Sequence, residues 1–231
     1  MEKNLKILGI SGSPRKGSNT SILVKAALEG ARSVDNIETE FIGFYGKKIN
    51  PCVACYKCPV EGTYCIQQDS MTDIYPRLFQ ADGIILGAPV YFGSVNAQTK
   101  AFMDRCKAFG ATGKSLEFKV GGALAVGGGR HSGQEFAIQA IRTFFIMNKM
   151  IQVGSITGPI GVAGLAWKEG KMEEDVWISE IRGKQSTMDV AKELGKLVAV
   201  VTKIVDAGKK AVPYQKYNLM RVIPENPASQ E

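Results

Sequence analysis

A doubly wound α/β fold, with helices on both faces of a parallel sheet, is what this sequence predicts. Two observations carry the prediction. Short apolar runs alternate along the chain with segments of helical apolar spacing, and the first run empties into a loop rich in Ser and Gly. Crossovers in such a sheet are right-handed, so every strand ends on the same edge. Ligands bind along that edge, at the point where strand order reverses.

The elements follow in order. Leu5–Ile10 (LKILGI) reads as a buried strand because its apolar run stops at Ser, Gly and Pro. Asn19–Arg32 has helical spacing, with Ile22, Leu23, Ala26, Ala27 and Ala31 on or near one face. Glu38–Phe44 alternates as a second strand, and a helix is expected around Asp73–Ala81, where Pro76 demands either a late start or a kink. Asp82–Ala88 (DGIILGA) is the clearest strand. Asn96–Phe109 reads as helix, Phe118–Val126 as strand, Gly133–Met150 as helix, Ile151–Val153 as a brief last strand and Met188–Asp206 as the last helix. The expected division is a single domain over residues 1–207, with a cysteine loop at 45–67, and an extended tail over 208–231 that carries Pro213, Pro224 and Pro227. Trp167 and Trp177 are expected to pack or to sit at a subunit interface.

Bulk properties narrow the function. The 231 residues are 45% hydrophobic and 22% charged, which is ordinary for a globular chain that buries a full core without staples. No apolar run approaches the ~20 residues that span a bilayer, and the N-terminus lacks the apolar stretch of an export signal, so no membrane role is expected and a cytoplasmic location is the default. The net charge of +7 is scattered over Arg15, Lys16, Lys47, Lys48, Lys209 and Lys210 rather than laid out as a stripe with aromatics, which argues against a nucleic-acid partner. Five cysteines in a reducing compartment favour metal or redox chemistry over a disulfide framework.

Four of those cysteines, Cys52, Cys55, Cys58 and Cys65, form a C-x2-C-x2-C-x6-C run. Three thiols at successive three-residue steps can wrap one compact centre and a fourth can close it, a geometry suited to a cubane [4Fe–4S] cluster. Zinc usually pairs two knuckles across a longer gap. Zinc, and thiols left free or joined as a redox pair, stand as the alternatives. Cys106, between Phe102 and Phe109, reads as core packing, and Gln67 and Asp69 as the start of the next helix.

The loop Ser11-Gly-Ser-Pro-Arg-Lys-Gly-Ser-Asn-Thr20 has the small residues that let backbone N–H groups approach an anion at a helix N-terminus. Hydroxyls of Ser11, Ser13, Ser18 and Thr20, the Asn19 amide and the Arg15 fork are its candidate donors. It matches neither the triphosphate nor the dinucleotide glycine fingerprint, and a single terminal phosphate suits it better. Downstream, Pro89, Val90, Tyr91 and Phe92 offer a flat apolar wall. Gly93, Ser94, Gly127, Gly128 and Gly129 offer backbone donors to a ring edge, and Arg130 and His131 lie near that rim.

SGSPRKGSNTS resembles the phosphate loop of the flavodoxin-like NADPH-dependent FMN reductases. The stretches GAPVYFGS, continuing as VNAQTKAFMDR, and VGGGRHSGQE resemble that family's second and third flavin loops. With the four cysteines, the whole pattern over about residues 5–205 is similar to the iron–sulfur flavoproteins. The resemblance implies a flavodoxin-like five-stranded sheet in the order 2-1-3-4-5 with a cysteine-rich loop after strand 2. It also implies FMN as cofactor, a [4Fe–4S] cluster, and a homodimer or homotetramer. Electrons would pass from a low-potential donor such as ferredoxin through the cluster to FMN and on to an acceptor. An NAD(P)H-dependent FMN or quinone reductase without a cluster is the second reading, and a non-enzymatic FMN carrier or redox sensor the third. Flavin electron transfer needs no protein acid, so no catalytic side chain is expected and His131 reads as a loop residue.

Overall fold

The structure is a computed structural model that describes residues 4–58, 64–111, 115–129, 131–156, 158–165, 167–168, 171–172 and 186–213. Its centre is a sheet of parallel strands β1 (Leu5–Ser11), β2 (Ile37–Gly43), β3 (Gly83–Tyr91) and β5 (Val120–Gly127), ordered β2-β1-β3-β5. The fifth position is shared. β6 (Ile151–Val153) pairs with the first half of β5 and β7 (Val162–Leu165) with its second half. The 2-1-3-4-5 order is therefore present, with its last strand in two pieces. Between β3 and β5 in the chain, β4 (Ser94–Val95) folds back antiparallel on the end of β3. A separate ribbon of β8 (Trp167–Lys168) and β9 (Lys171–Met172) follows. Trp177 lies outside the described residues, as do the side chain of Trp167 and the tail from residue 214 onward.

Two apolar layers sandwich the sheet, as parallel strands buried on both faces require. Side chains alternate along β1, so Leu8 and Ile10 face one layer and Leu5 and Ile7 the other. The first layer holds α2 (Met71–Gln80), α3 (Ala97–Arg105), α4 (Lys107–Ala111) and α5 (Gln134–Met147) through Tyr75, Phe102, Phe109 and Phe145. The second holds α1 (Asn19–Arg32) and α6 (Thr187–Ala211) through Leu23, Val24, Leu194 and Val198. These two helices touch at backbone distance: a Cβ on Gly30 would overlap the Lys192 carbonyl, and one on Gly195 the Ala27 carbonyl.

Several boundaries differ from expectation for identifiable reasons. The helix expected over Asn96–Phe109 is two pieces, because the chain breaks at Cys106, whose N–H bonds back to Phe102 and Met103. α2 starts at Met71, with Asp69 Oδ1 accepting from Met71 N at 2.9 Å, and runs through Pro76. α5 stops at Met147 rather than Met150 because Lys149 turns left-handed (φ 56°) and Met150 N reaches back to Phe145 O. α6 continues five residues past Asp206, with a capping box of Ser186 and Asp189 at its start. No helix among the described residues is long and apolar enough to cross a membrane.

Candidate functional site

Order reverses between β1 and β3, and there the carboxyl edge opens into a cleft of about 280 Å³. Its floor and walls come from three loops: Ser13 to Thr20 after β1, Pro89 to Tyr91 at the end of β3, and Val126 to Gly128 at the end of β5. The first loop turns at Gly17 (φ 63°) into α1, where Ser18 is the N-cap and its Oγ accepts from Ser21 N at 3.2 Å. The first turn of α1 carries no acidic side chain, so its positive dipole end is left uncancelled beside exposed Arg15 and Lys16. Hydroxyls, a helix N-terminus and cations around one concavity are the donor set a phosphate monoester takes, and the Pro89–Val90–Tyr91 wall suits a flat ring. By its donor chemistry the cleft fits FMN.

Ser13, Arg15, Ser18, Asn19, Thr20, Pro89, Val90, Tyr91, Gly127 and Gly128 line that cleft together. Five other expected residues stand apart from it. Ser11 is buried beneath the loop, its Oγ accepting from Ser21 Oγ at 2.9 Å. Phe92 and Gly93 are the two tip residues of the β3–β4 hairpin, both with positive φ (46° and 79°), and Ser94 begins β4. Phe92 is fully exposed there. Gly129 lies beyond the rim, its carbonyl accepting from Gln134 Nε2 at 2.7 Å and from Ser132 Oγ at 2.8 Å. Arg130 lies outside the described residues, and His131 is exposed with φ 54°.

Residues that sequence reasoning passed over tie the loops into one body. Asn96 is buried, donates from Nδ2 to Gly12 O at 2.8 Å and accepts on Oδ1 from Thr99 Oγ1 at 2.6 Å. Gly12 N in turn donates to Gly87 O at 2.8 Å, and a Cβ on Gly12 would overlap Thr99 Oγ1. Buried Gln134 braces the third loop from below. At Gly133 (φ 103°) a Cβ would come within 2.5 Å of Gly93 Cα, so the second and third loops meet backbone to backbone. The available signal was an Asn at a helix N-cap position and a Gln directly after the single Gly133, five residues past the Gly127–Gly129 run.

On the same edge, the chain leaves β2 and enters the cysteine segment. Cys52 is exposed and Cys55, Cys58 and Cys65 are half-buried, with Cys58, Cys65 and Tyr64 packed on the core. Tyr64 stacks on Tyr75 with ring centres 5.0 Å apart. Ala54 and Tyr56 both turn left-handed (φ 49° and 56°), and left-handed residues of this kind shape the backbone concavities of anionic iron–sulfur sites. Burial pushes the Cys58 thiol up, and the charges of Cys65, Cys52 and Cys55 push it further, against a pull from Lys107. The Cys52, Cys55 and Cys65 sulfurs thus lie within electrostatic reach of Cys58, although no group of three or more His, Cys, Asp or Glu is drawn to metal-binding geometry among the described residues. Cys106 is fully buried and is packing.

Residues 5–163 match the family model of the NADPH-dependent FMN reductases. An iron–sulfur flavoprotein of Methanocaldococcus jannaschii is 43% identical over 203 residues, 87% of this chain and 99% of its own. Another, from Methanosarcina thermophila, is 38% identical over 199 residues, 86% of this chain and 98% of its own. The chain belongs to the NADPH-dependent FMN reductase family, among the iron–sulfur flavoproteins. A flavodoxin, WrbA-like protein from Agrobacterium tumefaciens shares the fold of this flavoprotein at 17% identity, with a TM-score of 0.56 over 87% of this chain and 99% of that one. The flavoprotein is thus a flavodoxin-like, FMN-dependent oxidoreductase.

Proposed function

We propose that this oxidoreductase holds FMN in the cleft and a [4Fe–4S] cluster on Cys52, Cys55, Cys58 and Cys65, and passes electrons from a low-potential donor such as ferredoxin through the cluster to FMN and on to an acceptor. The observation that carries the reading is a four-thiol segment in which Cys58 feels the charge of the other three, on the sheet edge that also bears the cleft. The kinship with iron–sulfur flavoproteins over nearly the whole chain supports it. When bound, FMN supplies both one- and two-electron transfer and the cluster one-electron transfer. The chain's own work is positional. Arg15, Ser18 and the α1 N-terminus hold the phosphate, and Pro89, Val90 and Tyr91 bear on the ring. Backbone N–H groups at Gly127 and Gly128 stand at the rim, and no acid or base is assigned.

The protein is further proposed to act as a cytoplasmic homodimer or homotetramer, as one domain; the helix α6 carries that domain to Ala211, past the expected boundary at 207, so the tail begins beyond it. Iron, acid-labile sulfide and flavin per chain, measured on protein purified without air, test the main reading. About four irons and one FMN are expected. FMN without iron or sulfide would transfer the lead to an NAD(P)H-dependent FMN or quinone reductase, which the family model itself favours.

A further inference from the structure

The cysteine segment is joined to the flavin domain by a polar neck. Ser70 N donates to Lys48 O at 3.0 Å and Lys48 N to Ser70 Oγ at 3.1 Å; Asn50 N donates to Asp69 Oδ2 at 2.9 Å; Gln67 Nε2 donates to Pro51 O at 3.1 Å. One guanidinium underlies all of it. Arg105, at the end of α3, reaches Asp69 Oδ2 at 2.7 Å and Asn50 O at 3.0 Å through Nη1, and Asp69 Oδ1 at 3.3 Å and Gln67 O at 3.4 Å through Nη2. It therefore grips the chain entering the cysteine segment and the chain leaving it. The side chains of Arg105 and Asp69 are 1% and 0% exposed. Tyr75 OH donates to the Arg105 carbonyl at 3.1 Å, fixing the backbone that carries the fork.

A buried ion pair is a weak reason for stability, since apolar residues of similar volume often serve as well. Two features point past stability. Arg105 Nε is buried with no hydrogen-bond partner among the described residues, so the guanidinium makes its contacts with Asp69 and the neck through Nη1 and Nη2 alone. Cys65 also lies within electrostatic reach of that guanidinium, where water screens little. Lys107, another cation near the thiols, is exposed over the Tyr56 ring and is screened.

We propose that Arg105, clasped by Asp69, is a positioning residue for the four-cysteine site: it closes the neck of the cysteine segment and presents the fixed buried positive charge that favours the site's more reduced, more negative state. This rests on the iron–sulfur reading above. Its two halves are read separately on the full-length, FMN-loaded chain. Asp69→Leu/Arg105→Met replaces the pair by apolar side chains, so bound FMN should be retained as proof of folding. Tryptic cleavage after exposed Lys57, measured after iron chelation, should then rise by at least about tenfold as local opening replaces the clasp. Cleavage at the wild-type rate overturns the proposal.

The second readout is the cluster midpoint potential by redox titration. Arg105→Gln should lower it and Asp69→Asn should raise it, because the two neutralisations have opposite sign. A merely structural pair would move both variants the same way or neither, and that result also overturns the proposal. Wild-type protein that takes up no iron would refute the function reading instead, leaving the proteolysis result to decide the clasp.

Discussion

The flavin cleft and the cysteine segment share one edge of one sheet, yet they are built by opposite strategies. Around the cleft the loops are short, start at strand ends and are locked by backbone contacts: Gly12 on Gly87, Gly93 on Gly133. The cysteine segment is a long excursion whose Val53 and Tyr56 side chains face solvent, and its attachment is polar and concentrated on one buried ion pair. A site that must hold a large rigid ligand gains from preorganised backbone. A site whose ligand is itself a four-point crosslink can leave shape to the ligand and needs only its neck fixed.

That contrast can be broken most completely at the thiols. Cys58→Ala should lose its iron while keeping one FMN per chain, measured by metal and flavin analysis. Retained iron would remove the cysteines from the metal site, and lost FMN would show that the two regions fold as one. Next in size is Arg15→Ala with Asn19→Ala. Each contact to a charged phosphate is worth ~1.5–3 kcal/mol, so FMN affinity by fluorescence titration should fall by about a hundredfold or more. Iron content should stay constant, and unchanged affinity would place the phosphate elsewhere.

Acid should separate the regions more gently. Burial works to raise the Asp69 carboxyl, but hydrogen bonds from Arg105, Asn50 and Met71 and the guanidinium charge together hold it below its ordinary value. A carboxyl depressed in the folded state contributes stability that is present above its unfolded pKa of about 3.9 and is lost as pH falls through the lower folded value. Tryptic-type loop opening, probed with an acid-stable protease, should therefore begin only below about pH 4, and Asp69→Asn should abolish that onset. Opening that begins near neutrality would assign the neck to another group.

The smallest effect belongs to the hairpin tip. A side chain in the left-handed region costs ~1–2 kcal/mol, whereas glycine gives back ~0.5–1 kcal/mol of it as chain entropy. Phe92→Gly should therefore leave the thermal midpoint unchanged or a few degrees higher, with FMN affinity within about twofold. A tenfold loss of affinity would put Phe92 on the flavin, where its position in the sequence suggested it.

What could be read in advance follows from distance along the chain. The strands β1, β3 and β5 and the loop Ser13–Thr20 declare themselves locally, through apolar runs and a Ser/Gly-rich turn. β7 does not, because VAGL is short and follows a Gly- and Pro-bearing stretch that reads as loop; only its pairing with Leu124–Gly127 makes it a strand. β4 was equally hidden inside YFGSV. Asn96 acts on Gly12 from 84 residues away, and Arg105 on Asn50 from 55. Such roles depend on which chains the topology brings side by side. The same holds for Phe92, whose aromatic character suited a flavin wall until the left-handed turn aimed it outward.

The meeting of Gly93 and Gly133 has a mechanical meaning. With no side chain between them, the β3–β4 hairpin and the loop before α5 meet backbone to backbone, and neither has room to shift toward the other. Phe92 stands exposed just before that contact, and Gly127 of the third loop lines the cleft. Any side chain at Gly133 would therefore have to drive the hairpin away from the third cleft loop.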